Sequence, residues 1–459
     1  MTIDRRAFLQ HSGSALGLAA VWPLARSVRG LAQGGADVRL VAAPADIDVG
    51  SGAAWHTWVY NGQVPGPVIR VREGERLRVV LENRLPEPTT VHWHGLPVPP
   101  DMDGVPDVSQ PAVQPGETFA YEFEVPASGT FFYHSHVGLQ LDRGLSGALI
   151  VTPRDGPDAP PGTREQVLVF DDWLRQAPDA GGGAFGGMMG GGGPIYDGYL
   201  LNGRTSHAIA PLTIERGEQL RLRLVNASAA TTFRVGITGH TLRVTHADGQ
   251  RVAPVAVDTL VMGMGERYDV IVAGTDPGVW LLVAGPFESP VPGVVAPFVY
   301  PGYLPSPTPA VVWPASLTRG RTLSYDDLQP DTPAPVNTRG DRSLPLLLSG
   351  GMGMMGGAEA WTINGERYPR ASPLRIHEGE WVRLEMRNQS MVRHPMHLHG
   401  HFFRVVGARG LSGFKDTVLV EPMGQRDVVF RADHPGRWMF HCHHAYHMEA
   451  GMARIVEYV

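Results

Sequence analysis

One pattern recurs three times along the 459-residue chain and constrains the fold more than any other feature. An Asn-Gly pair opens each copy: Asn61-Gly62, Asn202-Gly203 and Asn364-Gly365. A turn at a second glycine follows, then a strand-like run that ends on asparagine. These are Gly74 with Asn83, Gly217 with Asn226, and Gly379 with Asn388. One copy could arise by chance, but three in the same order indicate three related domains. The runs alternate apolar and polar residues, as in Val68-Ile69-Arg70-Val71-Arg72, Leu77-Arg78-Val79-Val80-Leu81, Thr118-Phe119-Ala120-Tyr121-Glu122-Phe123 and Leu220-Arg221-Leu222-Arg223-Leu224-Val225. A period of two marks half-buried strands of antiparallel sandwiches. The 57 Gly and 40 Pro, about a fifth of the chain, suit many short strands and disfavour long helices. Pro-rich stretches at 153–161 and 286–335 separate the copies, and the second is expected to be mostly irregular. Residues 181–193 and 350–357 are Gly-Met mixtures with little capacity to pack. The expected fold is all-β, with consecutive sandwiches at residues 36–153, 162–300 and 336–459.

A formal charge of −6 excludes the basic footprint of a nucleic-acid binder. Lys415 is the only lysine among 39 basic residues, a bias that reads as genomic base composition. Cys442 is the only cysteine, so no intrachain disulfide is possible. The chain begins with Arg5-Arg6-Ala7-Phe8-Leu9 and a mild apolar stretch, which resembles a twin-arginine signal peptide over residues 1–32. That stretch is too short and interrupted to span a bilayer. The mature protein is therefore expected in the periplasm, with no membrane contact. Proteins exported by this route often fold around a cofactor first, which directs attention to metal ligands.

Four short clusters gather most of the 19 histidines: His92-Trp93-His94, His134-Ser135-His136, the run from His394 to His399, and the run from His441 to His447. On a strand, residues i and i+2 share a face, so each His-x-His presents two imidazoles side by side. A single pair is weak evidence for metal. Four pairs, one bracketing the only cysteine, can converge on one metal cluster. Cys442 faces away from His441 and His443, so it can serve a different metal, with His394, His447 and Met452 as available partners. Two imidazoles, a thiolate and a weak thioether describe a blue-copper electron-transfer site. A free cysteine is also a common small core residue, although that leaves the flanking histidines unexplained. The two metals would lie on the order of 10 Å apart, joined through the peptide at Cys442.

The clusters HWHG, YHSH, HPMHLHG and HCHxxxHxxxxM resemble the four motifs of the multicopper oxidases, over nearly the whole mature chain. The segments DMDGVPDVSQP (101–111), HSHVGLQ (134–140) and YHMEAGM (446–452) are similar to periplasmic copper-resistance oxidases. The resemblance implies cupredoxin-like Greek-key domains holding four copper ions: one type 1, one type 2 and two type 3. It implies a type 1 site of His394, Cys442, His447 and axial Met452. The type 2 ion would take His92 and His397. One type 3 ion would take His94, His134 and His443, and the other His136, His399 and His441. Domains one and three would supply the cluster and the middle domain none. Asp103 matches an acid placed near the type 2 ion, although an Asp before Gly is also an ordinary turn residue and Asp107 lies close by. Asp416 matches a carboxylate that orients ligand imidazoles. Many bacterial members carry an acid directly after the last type 1 histidine. This chain has Met448 there, and Glu449 one place later. His401 and His444 adjoin the ligand runs without a place in the pattern and are expected to be non-ligands.

The implied reaction takes electrons singly from a small reductant at the type 1 copper and reduces dioxygen to water at the trinuclear cluster. Cuprous ion is favoured as reductant over phenols and aromatic amines. Met188, Met189, Met352, Met354 and Met355 sit in the Gly-rich segments, and thioethers suit Cu(I). They could equally be incidental in flexible loops. Met391, Met396 and Met448 lie near the type 1 ligands in sequence. Two other readings are a non-catalytic cupredoxin scaffold, whose relatives have lost ligands that this chain keeps, and a periplasmic copper-storage protein, which would bind more than four ions. A monomer is expected.

Overall fold

The computed structural model describes residues 35–156, 158–176, 193–304, 312–331, 337–351 and 360–459. The expected export segment and the five methionines of the Gly-rich segments lie outside them. Six sheets form three sandwich domains. The first pairs two four-stranded sheets, and the other two each pair a six-stranded with a five-stranded sheet in a matching strand order. Each sandwich closes on its own apolar core.

The threefold pattern has a physical basis. Asn61, Asn202 and Asn364 have φ of 53°, 49° and 56°, and the following glycines 74°, 73° and 73°. Two successive left-handed residues make the hairpin turn that Asn-Gly favours. Each asparagine then ties the turn to the neighbouring strand: its Oδ1 accepts from Val41, Val169 or Leu347, and its Nδ2 donates to Arg39, Val167 or Pro345. The second asparagines, Asn83, Asn226 and Asn388, are buried at strand ends. Their Nδ2 groups donate to backbone carbonyls of neighbouring segments, including Val113, Met262 and Val420.

The sandwiches are not purely antiparallel as the alternation suggested. Each of the six sheets contains one parallel pair, for example Gly35–Asp48 with Arg76–Asn83 and Ser146–Thr152 with Gly66–Arg72. A period of two reports burial on one face but carries no strand direction; the crossovers of a Greek key set that. The connection at 286–335 is also more ordered than its proline content suggested. The strand Val294–Val299 and the helix Ala315–Arg319 fall within it, and Tyr325 packs against two domain cores. Among the described residues, no helix is long and apolar enough to cross a membrane.

Strand order places the histidines. His92–His94 is fourth in its sheet beside Gly129–His134, and His394–Leu398 is fourth in its sheet beside Arg437–Cys442. In the middle domain those places belong to Phe233–Ile237 and Val279–Pro286, which contain no histidine.

Candidate metal centre

In the first domain, His92 is opposite His134 and His94 opposite Phe132. In the third, His397 is opposite His441 and Met396 opposite Cys442. Histidines of the two domains meet in two stacked pairs. His94 stacks on His397 with ring centroids 3.8 Å apart, and His92 on His399 at 3.9 Å. His136 packs on His399 and His441, and His443 on His94 and His134. The pairs sit at strand ends rather than mid-strand: Gly129–His134 stops at His134 and Arg437–Cys442 at Cys442, leaving His136 and His443 on the following loops. That lets the imidazoles converge on a volume between domains instead of lying flat on one sheet.

Eight buried imidazoles in contact, with only the Asp103 and Asp416 carboxylates beside them, would repel strongly if protonated. Burial first, and the neighbouring imidazoles second, hold His136, His399 and His441 well below the ordinary imidazole range, and His94, His134 and His443 likewise. They are therefore neutral and able to ligate. One nitrogen of most rings is already committed. His92 Nδ1 donates to Asp103 O at 2.8 Å, His134 Nδ1 to Ser135 O at 2.8 Å, His397 Nδ1 to Asp416 O at 2.9 Å and His441 Nδ1 to Cys442 O at 2.9 Å. The opposite Nε2 of His92, His134 and His397 is buried without a partner, as are His136 Nε2, His94 Nδ1 and both nitrogens of His443. Lone pairs buried together with no donor are costly unless a cation uses them. Close groups of donor atoms include His136, His399 and His441, and His92, His397 and His399.

A second group lies on the opposite face of the Cys442 strand. Cys442 Sγ is 3.6 Å from both His394 Nδ1 and His447 Nδ1, which are 3.1 Å apart. A first-row metal about 2.0 Å from nitrogen and about 2.3 Å from sulfur spaces trigonal donors roughly 3.5–3.7 Å apart, so this triangle fits one with a small adjustment. Ser390 Oγ holds His394 Nε2 at 2.8 Å, and Trp361 stacks on His447 at 3.9 Å. Met452 is buried and bonded through its backbone to Cys442 and His447. Burial pushes the Cys442 thiol well up, so the thiolate forms only with a cation beside it.

The family models for multicopper oxidase match residues 43–156, 164–295 and 345–459. The chain belongs to the multicopper oxidase family. The multicopper oxidase MmcO of Mycobacterium tuberculosis is 36% identical, over 92% of this chain and 86% of its own. Copper resistance protein A of Escherichia coli is 28% identical, over 86% and 88%. The crystal structure of a multicopper oxidase from Pseudomonas thermotolerans is 32% identical and superposes with a TM-score of 0.72 over 93% of this chain and 99% of that one. As a multicopper oxidase, the chain is a laccase-like oxidoreductase that uses dioxygen and a reducing substrate. Its histidine clusters fit a type 1 and a trinuclear copper site.

The carboxylates differ in their placement. Asp103 is fully buried, its Oδ2 2.8 Å from His399 Nδ1 and its Oδ1 3.2 Å from His92 Nδ1. Asp416 is fully buried 3.2 Å from His94 Nε2. Burial opposes its charge, but Arg267 outweighs that and holds the carboxyl well below the usual carboxylate range. Glu449 is exposed at the end of the helix Ala445–Glu449 and belongs to none of the close donor groups. Asp107 is a turn residue with φ of 62°. His401 spends its nitrogens on His399 O and Tyr458 Oη, and His444 stacks on His447 at 3.8 Å. Ser390, Trp361, Thr417 and Arg267 also belong to the site. None has a motif: Ser390, Trp361 and Thr417 touch His394, His447 and His94, and Arg267 holds Asp416.

Proposed function

We propose that this chain oxidises cuprous ion, and more permissively phenols and aromatic amines, in the service of copper tolerance in the periplasm. When bound, copper supplies one-electron acceptance at the thiolate site and four-electron reduction of dioxygen to water at the cluster. The observation that carries the reading is the pair of complete donor sets joined through one strand end. Cys442 completes the triangle with His394 and His447, while its neighbours His441 and His443 line the cage.

In the ligand assignment we propose, His394, Cys442, His447 and axial Met452 take the type 1 ion, and His92 and His397 the type 2 ion. His94, His134 and His443 take one type 3 ion, and His136, His399 and His441 the other. Asp103 and Asp416 orient the cage imidazoles. Both acids touch rings from the first and third domains, Asp103 those of His92 and His399 and Asp416 those of His94 and His397, but Arg267 holds Asp416 charged, so Asp103 is the better placed to hold a proton for the reduction. Glu449 is the exposed acid nearest in sequence to the type 1 ligands. The domain limits at 36–153, 162–300 and 336–459 and the export segment at 1–32 belong to the same reading. Every donor comes from one chain, which supports a monomer.

The cuprous preference has support beside the type 1 site. Met391 is exposed next to Ser390, the residue that holds His394. Trp361, which follows the 350–357 segment, stacks on His447, and Gly193, which ends the 181–193 segment, lies against His444. The relative from Escherichia coli is named for copper resistance. The test is oxygen consumption by copper-loaded protein given cuprous ion and, separately, a methoxyphenol. Uptake that is faster with cuprous ion supports the reading. Uptake with the phenol alone makes the chain a laccase without a copper-tolerance role, and no uptake with either leaves storage or scaffolding.

A further inference from the structure

The middle domain gives no imidazole to the cage, yet it reaches it. The turn before the strand Arg267–Ala273 lies directly on the histidines: a Cβ added at Gly265, whose φ is 85°, would be 2.8 Å from His94 Cε1 and 3.1 Å from His443 Cδ2. Two residues on, Arg267 is fully buried. Its guanidinium forms a fork on Asp416 of the third domain, Nη1 to Oδ1 and Nη2 to Oδ2, both at 2.7 Å. Two more donors are fixed too, Nε on Thr130 O of the first domain at 3.1 Å and Nη1 also on Gly265 O at 2.9 Å. One side chain thus links all three domains.

The consequence falls on His94. Asp416 Oδ1 and Thr417 Oγ1 each lie 3.2 Å from His94 Nε2, and Thr417 Oγ1 in turn donates to Asp416 Oδ1 at 2.8 Å. Nε2 is therefore taken, and Nδ1 is the nitrogen left free in the cage. His92, His134 and His397 are arranged the other way, with Nδ1 on a backbone carbonyl and Nε2 free. His94, His397 and Asp416 also bring donor atoms close together. Asp416 is a poor ligand candidate nonetheless, because both its oxygens are occupied by the Arg267 fork.

We infer that Arg267 of the middle domain is a positioning residue for the copper cage: by fixing Asp416 it commits Nε2 of His94 and presents Nδ1 to the metal. The inference rests on the copper reading of the cage. A planar fork is needed because two parallel hydrogen bonds set the carboxylate plane, which a lysine ammonium cannot do. A purely structural role would make Arg267 an interdomain clamp and nothing more.

The test compares wild type with Arg267→Met and Arg267→Lys after copper loading. Arg221→Met serves as a comparator, because Arg221 is equally buried in the middle domain but binds Asp269 and Asp158 rather than Asp416. The readouts are copper content, the blue type 1 absorption, the electron paramagnetic resonance of type 2 copper and the thermal midpoint. The inference predicts that Arg267→Met keeps the blue absorption but holds the cage copper roughly 10–100-fold more weakly. Arg267→Lys recovers copper content only in part, with altered type 2 resonance. Arg221→Met loses thermal stability with the cage signals intact. Wild-type copper content and type 2 resonance in Arg267→Met overturn the inference. If that variant does not fold, an unaltered type 2 resonance in Arg267→Lys overturns it instead. Absence of cage signals in the wild type would sink the copper reading itself, a distinct result.

Discussion

An imidazole has two nitrogens, and what one is bonded to decides what the other can do. In this site Asp103, Asp416, Ser135, Ser390 and the Cys442 carbonyl each claim one nitrogen, and the other is left for metal. Removing the thiolate leaves the cage donors untouched, because Cys442 faces away from them. Cys442→Ser is expected to abolish the blue absorption while type 2 resonance persists; loss of both signals in a folded variant contradicts separate sites. The depressed imidazole pKa values also have a thermodynamic consequence. A group held neutral in the fold contributes its full stability above the unfolded value of about 6.5 and loses it as pH falls below that. Metal-free protein should therefore weaken by about 1.4 kcal/mol per pH unit for each such imidazole below pH ~6.5. Urea midpoints of the metal-free protein across that range check this, and a flat profile contradicts it.

At the scale of strands and turns, the repeated asparagines hold the domains in register. Asn388 Nδ2 is shared by Val392, Val420 and Glu421 carbonyls, and its Oδ1 accepts from Ser390, the residue that holds His394. Asn388→Ala should cost about 1–3 kcal/mol, since it removes several buried hydrogen bonds at once. It should also broaden the type 1 signals, whereas Asn226→Ala, in the domain that gives no histidine to either donor set, costs stability alone. Thermal midpoints and the blue absorption separate the two outcomes. Much of this level was legible in the sequence. The Asn-Gly pairs, the period of two and the His-x-His spacing each have a local cause, so they leave a local trace. Strand direction left none, because the parallel pairs arise from crossovers between distant segments. Arg267 left none either, since its partner Asp416 is 149 residues away and on another domain.

At the scale of the whole molecule, the charge buried between domains two and three is as specific as the metal site. Lys415, the only lysine, is fully buried 2.9 Å from Asp248 Oδ2 and 3.0 Å from Glu266 Oε1, both of the middle domain. In a chain whose other cations are arginines, this one lysine fills a buried three-way contact with two acids. Its Nζ should resist amine-reactive reagents until the two domains part, so labelling at Lys415 under rising denaturant reports that separation. Ready labelling of native protein would contradict the packing. The central claim is that two donor sets, one with a thiolate and one an all-imidazole cage between domains one and three, hold copper. The most direct measurement is anomalous scattering at the copper edge from crystals of copper-loaded protein. The account predicts one peak inside the His394, Cys442 and His447 triangle and a cluster of peaks among the eight cage imidazoles. Copper at the triangle with an empty cage, or copper bound only elsewhere, would contradict it.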